Sequence, residues 1–264
     1  MIVAIFGDVH GNLIGMYELC KSWQQEKKES IDLVLQTGDM GLWSSFDQMD
    51  KATKKHFAKD ESELASAAYL SGEQIAPIKT WFIHGNHENF SLLCHKEGGA
   101  VDPGGRIIFL ATGSVREFRK GKEVLRVAAL GGMEYRFGKY PIPSNERVQK
   151  YLHPPSLERL RKSTGHLTVE SSQVDVLLLH DAPLNKGLRK KFPTGSKRLT
   201  GLIEAMQPRF AFYGHYDDPP EPFYLGPTFC AGTNFAGARR VPNRDGAMGI
   251  LRTDPWQFQF VEPR

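Results

Sequence analysis

The chain has 264 residues, with 40% hydrophobic and 24% charged residues and a formal charge of +4. This is the composition of an ordinary globular protein, long enough for one large domain or two small ones, and it excludes collagen-like, disordered and disulfide-scaffold classes. The three cysteines, Cys20, Cys94 and Cys230, share no metal-type spacing and point to a reducing compartment. No basic leader followed by an apolar run opens the chain and no apolar span could cross a membrane, so a cytoplasmic location is the default expectation.

Ile2 to Phe6 is an apolar run that predicts a buried strand, ending at Gly7-Asp8-Val9-His10-Gly11-Asn12. Leu13, Met16, Tyr17 and Cys20 then fall on one helical face, and Asn12 is a suitable N-cap. Ile31 to Leu35 predicts a second strand that ends at Gly38-Asp39, and strand, helix, strand predicts a parallel βαβ unit. Residues 44 to 71 are polar with helical spacing. They predict one or two surface helices, read first as a solvated insert and second as a cap over a site.

Ile78 to Ile83 predicts a third buried strand, closing at Gly85-Asn86-His87-Glu88. Ile107 to Leu110 and Val124 to Leu130 predict further strands, with a hairpin turn at Arg119-Lys120-Gly121-Lys122 between them. Residues 133 to 155 predict a long irregular loop, and Pro154 to Ser163 a short helix. Val174 to Leu179 predicts a strand ending at His180-Asp181, Leu199 to Met206 a helix, and Arg209 to Tyr213 a strand ending at Gly214-His215-Tyr216-Asp217. Three or four short strands fill Pro222 to Val261. Without repeat or linker, residues 1–264 parse most simply as a single domain, with 44–71 as an insert.

Five strand ends therefore stop at metal-ligand or proton-transfer residues: Asp8 and His10; Asp39; Asn86 and His87; His180; His215 and Asp217. Each alone has a structural explanation, since a strand-end His is commonly hydrogen-bonded and Gly-Asp is commonly a turn. Together they suit metal ions. Mixed His, carboxylate and amide donors favour Mn, Fe or Zn over calcium. They are too many for one tetrahedral zinc and suit two ions sharing a carboxylate, an arrangement fitted to in-line attack on phosphorus.

In this order the five stretches resemble the motifs of the calcineurin-like metallophosphoesterases. The resemblance implies two β-sheets packed as a sandwich flanked by helices, a dimetal site at the strand ends, and phosphoester hydrolysis by an attacking hydroxide. It implies that Asp8, His10 and Asp39 bind a first metal, that Asp39 bridges, and that Asn86, His180 and His215 complete a second. It gives His87 the task of acting beside the transferred phosphoryl group, with Asp39 or Glu88 as its orienting partner.

One departure stands out. Asp217 occupies a position that is usually His, so either a carboxylate completes the first metal site or one ion is held weakly. Around Tyr69 to Glu88, Gly131-Gly132 and His180-Asp181-Ala182-Pro183 the chain is also similar to RNA lariat debranching enzymes, which carry Cys where this chain has Asp8 and His where it has Asp217. The protein serine/threonine phosphatases need an Asp-Arg pair after the second motif that is lacking here.

The expected cofactors are thus two divalent ions, manganese first. The expected substrate is a phosphodiester of a nucleotide or RNA, with a phosphomonoester or a non-catalytic scaffold that binds a partner as alternatives. Arg189, Lys190 and Lys191, in a basic run with Lys186, Lys197 and Arg198, are candidate phosphate-binding residues. Arg239, Arg240 and Arg244 are a second basic group. Tyr135, Phe137 and Tyr140, near Arg136 and Lys139, are candidates to stack a base.

Overall fold

The structure, a computed structural model, describes the chain except residues 58–60, 94–97, 136–148, 166–173, 187–193, 218, 220, 237–244 and 263–264. The strands, numbered in chain order, are β1 (Ile2–Phe6), β2 (Leu33–Gln36), β3 (Thr80–Phe82), β4 (Gly99–Ala100), β5 (Ile107–Phe109), β6 (Ser114–Lys120), β7 (Glu123–Leu130), β8 (Val176–Leu179), β9 (Phe210–Tyr213), β10 (Phe223–Leu225), β11 (Thr228–Gly232), β12 (Met248–Thr253) and β13 (Trp256–Phe260). They form a seven-stranded sheet of order β13-β12-β1-β2-β3-β5-β4 and a six-stranded sheet of order β10-β11-β9-β8-β7-β6. The centre of each sheet is parallel, through β1-β2-β3-β5 and β7-β8-β9-β11, and antiparallel strands close the edges.

Alternation within the apolar runs builds the layers. In β1, Val3 and Ile5 face the second sheet and join Leu33, Leu35, Val127, Val176, Leu178 and Phe212 in the core between the sheets. Ala4 and Phe6 point the other way, against Leu13, Met16, Tyr17 and Cys20 of α1 (Leu13–Lys27). On the far side, Leu177, Leu179, Ala211 and Tyr213 pack under Leu157 and Leu160, and under Leu199, Leu202 and Ile203. The first pair belongs to a helix at Pro154–Gly165 and the second group to one at Lys197–Met206. A strand buried on both faces reads as a continuous apolar run, which is why the central strands were predictable. The result is a helix–sheet–sheet–helix stack. Among the described residues no helix is long and apolar enough to cross a membrane.

Two strand expectations need correction. Ser114–Lys120 is a strand that the sequence pattern does not predict. The hairpin at Gly121-Lys122 joins it to β7, while β5 lies in the other sheet. The second strand begins at Leu33 rather than Ile31, whose backbone N–H is taken by the Gln24 side chain at 2.8 Å.

Residues 44–71 fold as a 3₁₀ turn at Phe46–Gln48, α2 (Lys51–Phe57), a second 3₁₀ turn at Glu61–Leu64 and α3 (Ser66–Ser71). Much of the segment is exposed, as expected of a solvated insert, and part of it also faces the strand ends. Ala52, Thr53 and Glu63 line the cavity at the strand ends, and Gln48 Oε1 accepts from Asn89 Nδ2 at 2.9 Å. Charge spacing marks a wet face but does not reveal what the other face covers.

Glu88 ties two of the strand-end loops together. It is buried, and its carboxyl accepts from the backbone N–H of Met40 at 2.9 Å, Gly41 at 3.0 Å and Gly85 at 3.2 Å. Glu88→Ala would leave three amides without this acceptor, at about 1–3 kcal/mol each. The expected loss is about 3 kcal/mol or more, a fall in Tm of about 6 °C or more at 2–4 °C per kcal/mol for a protein of this size class. A thermal melt within about 2 °C of wild type would show that this carboxyl does not hold the loops.

Candidate metal centre

The loops that leave β1, β2, β3, β8 and β9 converge at one rim. There Asp8, His10, Asp39, Asn86, His87, His215 and Asp217 line a single cavity of about 470 Å³, walled also by Ala52, Thr53, Glu63 and Phe235. Two groups of ligand-type atoms come within 4.8 Å of one another among the described residues: Asp8, His10 and Asp39, and Asp39, His180 and His215. Asp39 belongs to both. Its Oδ2 lies 3.7 Å from His10 Nε2, and its Oδ1 lies 3.5 Å from His180 Nε2. One carboxylate thus turns one oxygen to each group.

The surroundings aim these side chains. His180 Nδ1 donates to Thr37 O at 3.0 Å, which leaves Nε2 to face Asn86 Oδ1 at 2.9 Å and Asp39. A backbone acceptor on the far ring nitrogen is the usual way a metal-binding imidazole is fixed. Asp8 Oδ1 accepts from the His215 N–H at 3.0 Å, and Asp8 Oδ2 lies 3.8 Å from His10 Nε2.

The glycines of the motifs make room. A Cβ on Gly85 would sit 2.1 Å from Asp39 Oδ1, and one on Gly214 would sit 2.5 Å from Asp8 Oδ1. His10, Asp39 and His215 adopt positive φ of 47°, 54° and 69°. Left-handed backbone at non-glycine residues costs on the order of 1 kcal/mol or more each. Three such residues in one cluster mark a site where geometry outweighs stability.

The electrostatics follow from burial and charge. Burial works against the Asp39 carboxylate, yet the imidazoles of His180, His10 and His87 hold its pKa well below the usual range. Burial also opposes a charge on His10, but pairing with Asp8 and the charges of Asp39, Asp8 and Glu63 raise it to about 9. His215 is lowered by burial and by neighbouring His180. His87 is raised: burial opposes its charge, and a hydrogen bond to Asp50 and the Asp39 charge prevail.

The donor set fits the ions expected. Carboxylates, imidazoles and one amide oxygen suit Mn, Fe or Zn, and two groups sharing a carboxylate suit a pair of ions. Asp217 lines the same cavity but is not a member of either group.

The partner of His87 is neither residue that the sequence left open. His87 Nδ1 lies 2.9 Å from Asp50 Oδ2. Asp39 takes the backbone N–H of His87 instead, at 2.6 Å, and Glu88 is committed to the loop amides.

Of the basic candidates, Arg189, Lys190, Lys191, Arg239, Arg240 and Arg244 lie outside the described residues. So do Arg136, Phe137, Lys139 and Tyr140. Lys186 sits over the Phe223 ring at 4.0 Å, Arg198 pairs with Glu134 at 3.3 Å, and Tyr135 packs edge-on against Tyr151 at 4.8 Å.

The "Lariat debranching enzyme" of Caenorhabditis elegans is 30% identical to this chain over 192 residues, which is 69% of this chain and 37% of that protein. The Arabidopsis thaliana protein of the same name is 27% identical over 245 residues, 81% of this chain and 54% of that one. The chain therefore spans about half or less of the length of these relatives. The solved structure of TT1561 of Thermus thermophilus aligns over 100% of this chain and 99% of its own, with a TM-score of 0.57 at 14% identity, a likeness of fold. A family model described as calcineurin-like phosphoesterase matches residues 1–216, which takes in the strand-end residues from Asp8 to His215 and stops just before Asp217. The chain belongs to the calcineurin-like phosphoesterase family.

Proposed function

We propose that the chain is a two-metal phosphodiesterase acting on a diester of a nucleotide or RNA. The observation that carries this reading is the division of Asp39, one oxygen toward His10 and the other toward His180. Asp8, His10 and Asp39 would hold one ion, and Asp39, Asn86, His180 and His215 the other, with Asp217 as a further ligand from the cavity wall. Such ions, manganese first, supply Lewis-acid activation of water and neutralise charge on the phosphoryl oxygens.

The chain's own residues do the rest. His87 lines the cavity beside both ligand groups, where an imidazole can donate a proton to the leaving oxygen or stabilise its developing charge. The backbone N–H of His87 is fixed on Asp39, so the ring is carried on the same scaffold as the bridging carboxylate. Phe235 lies 5.2 Å from His10 and gives the cavity an apolar wall. The preference for a diester of RNA or a nucleotide draws on the debranching enzymes among the relatives. It draws also on the basic run after His180, where Arg189, Lys190 and Lys191 are candidate phosphate contacts.

Hydrolysis of a simple aryl phosphodiester and of the matching monoester, after metal stripping and return of Mn²⁺, tests the reading. Mn²⁺-dependent turnover of the diester is the expected result. Turnover of the monoester alone would replace diesterase by monoesterase. No turnover of either with ions bound would overturn the enzyme assignment in favour of a scaffold.

A further inference from the structure

We infer that Asp50, delivered by the helical segment 44–71, is a positioning residue that holds the His87 ring so that its Nε2 faces the leaving oxygen. The inference rests on the phosphoesterase reading above and extends it to a residue outside all five strand-end motifs.

Asp50 stands immediately before α2 and serves as its cap. Its Oδ1 accepts from the backbone N–H of Ala52 at 2.8 Å and of Thr53 at 3.0 Å, and its backbone carbonyl accepts from Lys54 N at 2.9 Å. Its Oδ2 accepts from Thr53 Oγ1 at 3.2 Å and meets His87 Nδ1 at 2.9 Å. One oxygen is thereby fixed by the helix and the other is aimed at the imidazole. The ring nitrogen not taken by Asp50 is Nε2, on a side chain that lines the cavity. A second link two residues away on each chain segment, Gln48 Oε1 to Asn89 Nδ2, clamps the same turn to the same loop. The pairing is therefore built at two points and does not rest on a single surface contact.

In the reaction the Nε2 proton passes to the leaving oxygen as its bond to phosphorus breaks, and the electron pair of that bond stays on the oxygen. Solvent returns the proton to His87 between turnovers. The Nδ1 proton stays on the ring, bonded to Asp50, which does not touch the substrate. Asp50 orients the ring and supports its charge, as a half-buried carboxylate does behind a catalytic imidazole.

The test separates this role from helix capping. Asn is as good an N-cap as Asp, so Asp50→Asn keeps the α2 cap but removes the carboxylate from His87, whereas Asp50→Ala removes both. Kinetics with aryl phosphodiesters of increasing leaving-group pKa, in the Mn²⁺-loaded protein, give the readout. For Asp50→Asn we expect kcat to fall by about 10-fold to 10²-fold on poor leaving groups, with KM and ion content unchanged. The loss should shrink on good leaving groups, which need little protonation. Asp50→Asn added to His87→Ala should cost nothing further, because the two act as a unit. Asp50→Asn with wild-type kcat across the series, alongside an impaired Asp50→Ala, would reduce Asp50 to a cap and overturn the inference while leaving the phosphoesterase reading intact. A wild-type chain inert toward every ester with ions bound would overturn both.

Discussion

Asp39→Asn is expected to lose ion binding and turnover together. Asp39 is the one residue common to both ligand groups, with its two oxygens directed apart toward His10 and His180. An amide keeps the size of the side chain but offers one neutral oxygen, so at most one group keeps its donor. It also removes the negative charge against which His10 and His180 are set. Loss of an outer partner of a metal ligand commonly costs about 10–100-fold, so loss of a shared ligand should cost more, on the order of 10³-fold or greater in kcat/KM. Elemental analysis after gel filtration should find fewer than two ions per chain. Asp39→Asn that retains both ions and wild-type turnover would remove the bridging assignment.

His87→Ala should separate chemistry from metal binding. The side chain lines the cavity, 5.6 Å ring to ring from His10, yet it belongs to neither ligand group. Its replacement should therefore leave ion content unchanged and cut kcat by about 10² or more, the range for a lost general acid. The effect should be largest for substrates with poor leaving groups. A variant that loses ions would make His87 a ligand, and one that turns over like wild type would exclude it from the reaction.

Much of this architecture was legible because central strands buried on both faces leave unbroken apolar runs. Val3, Ile5, Leu33, Leu35, Leu178 and Phe212 meet between the sheets, and the residues that alternate with them fill the outer layers. The strand ends were legible for a related reason. Polar ligand-type residues after apolar runs have to collect at one rim when the strands are parallel.

What the sequence did not reveal depends on pairing across the chain. Ser114–Lys120 is mostly exposed and sets a single aromatic, Phe118, against the core between the sheets, so its ladder with β7 is what makes it a strand. Asp50 carries no motif either. It reaches His87 because α2 folds back over the rim, a contact between residues 37 positions apart. Asp39 and Glu88 looked like equal candidates for that contact. Asp39 takes the backbone N–H of His87 and turns its oxygens to the ligand groups, and Glu88 is held by three backbone amides, which no residue pattern discloses. The structure also leaves Asp217 on the cavity wall, beside but not within the two groups that the other motif residues form.

The most direct measurement is diester turnover as Mn²⁺ is returned to the stripped wild-type chain in known increments, with bound ions counted at each step. Two ions sharing Asp39 predict little turnover at one bound ion per chain and a steep rise as the second binds. Full diester turnover at one ion per chain, or turnover that ignores Mn²⁺ altogether, would contradict the two-metal account.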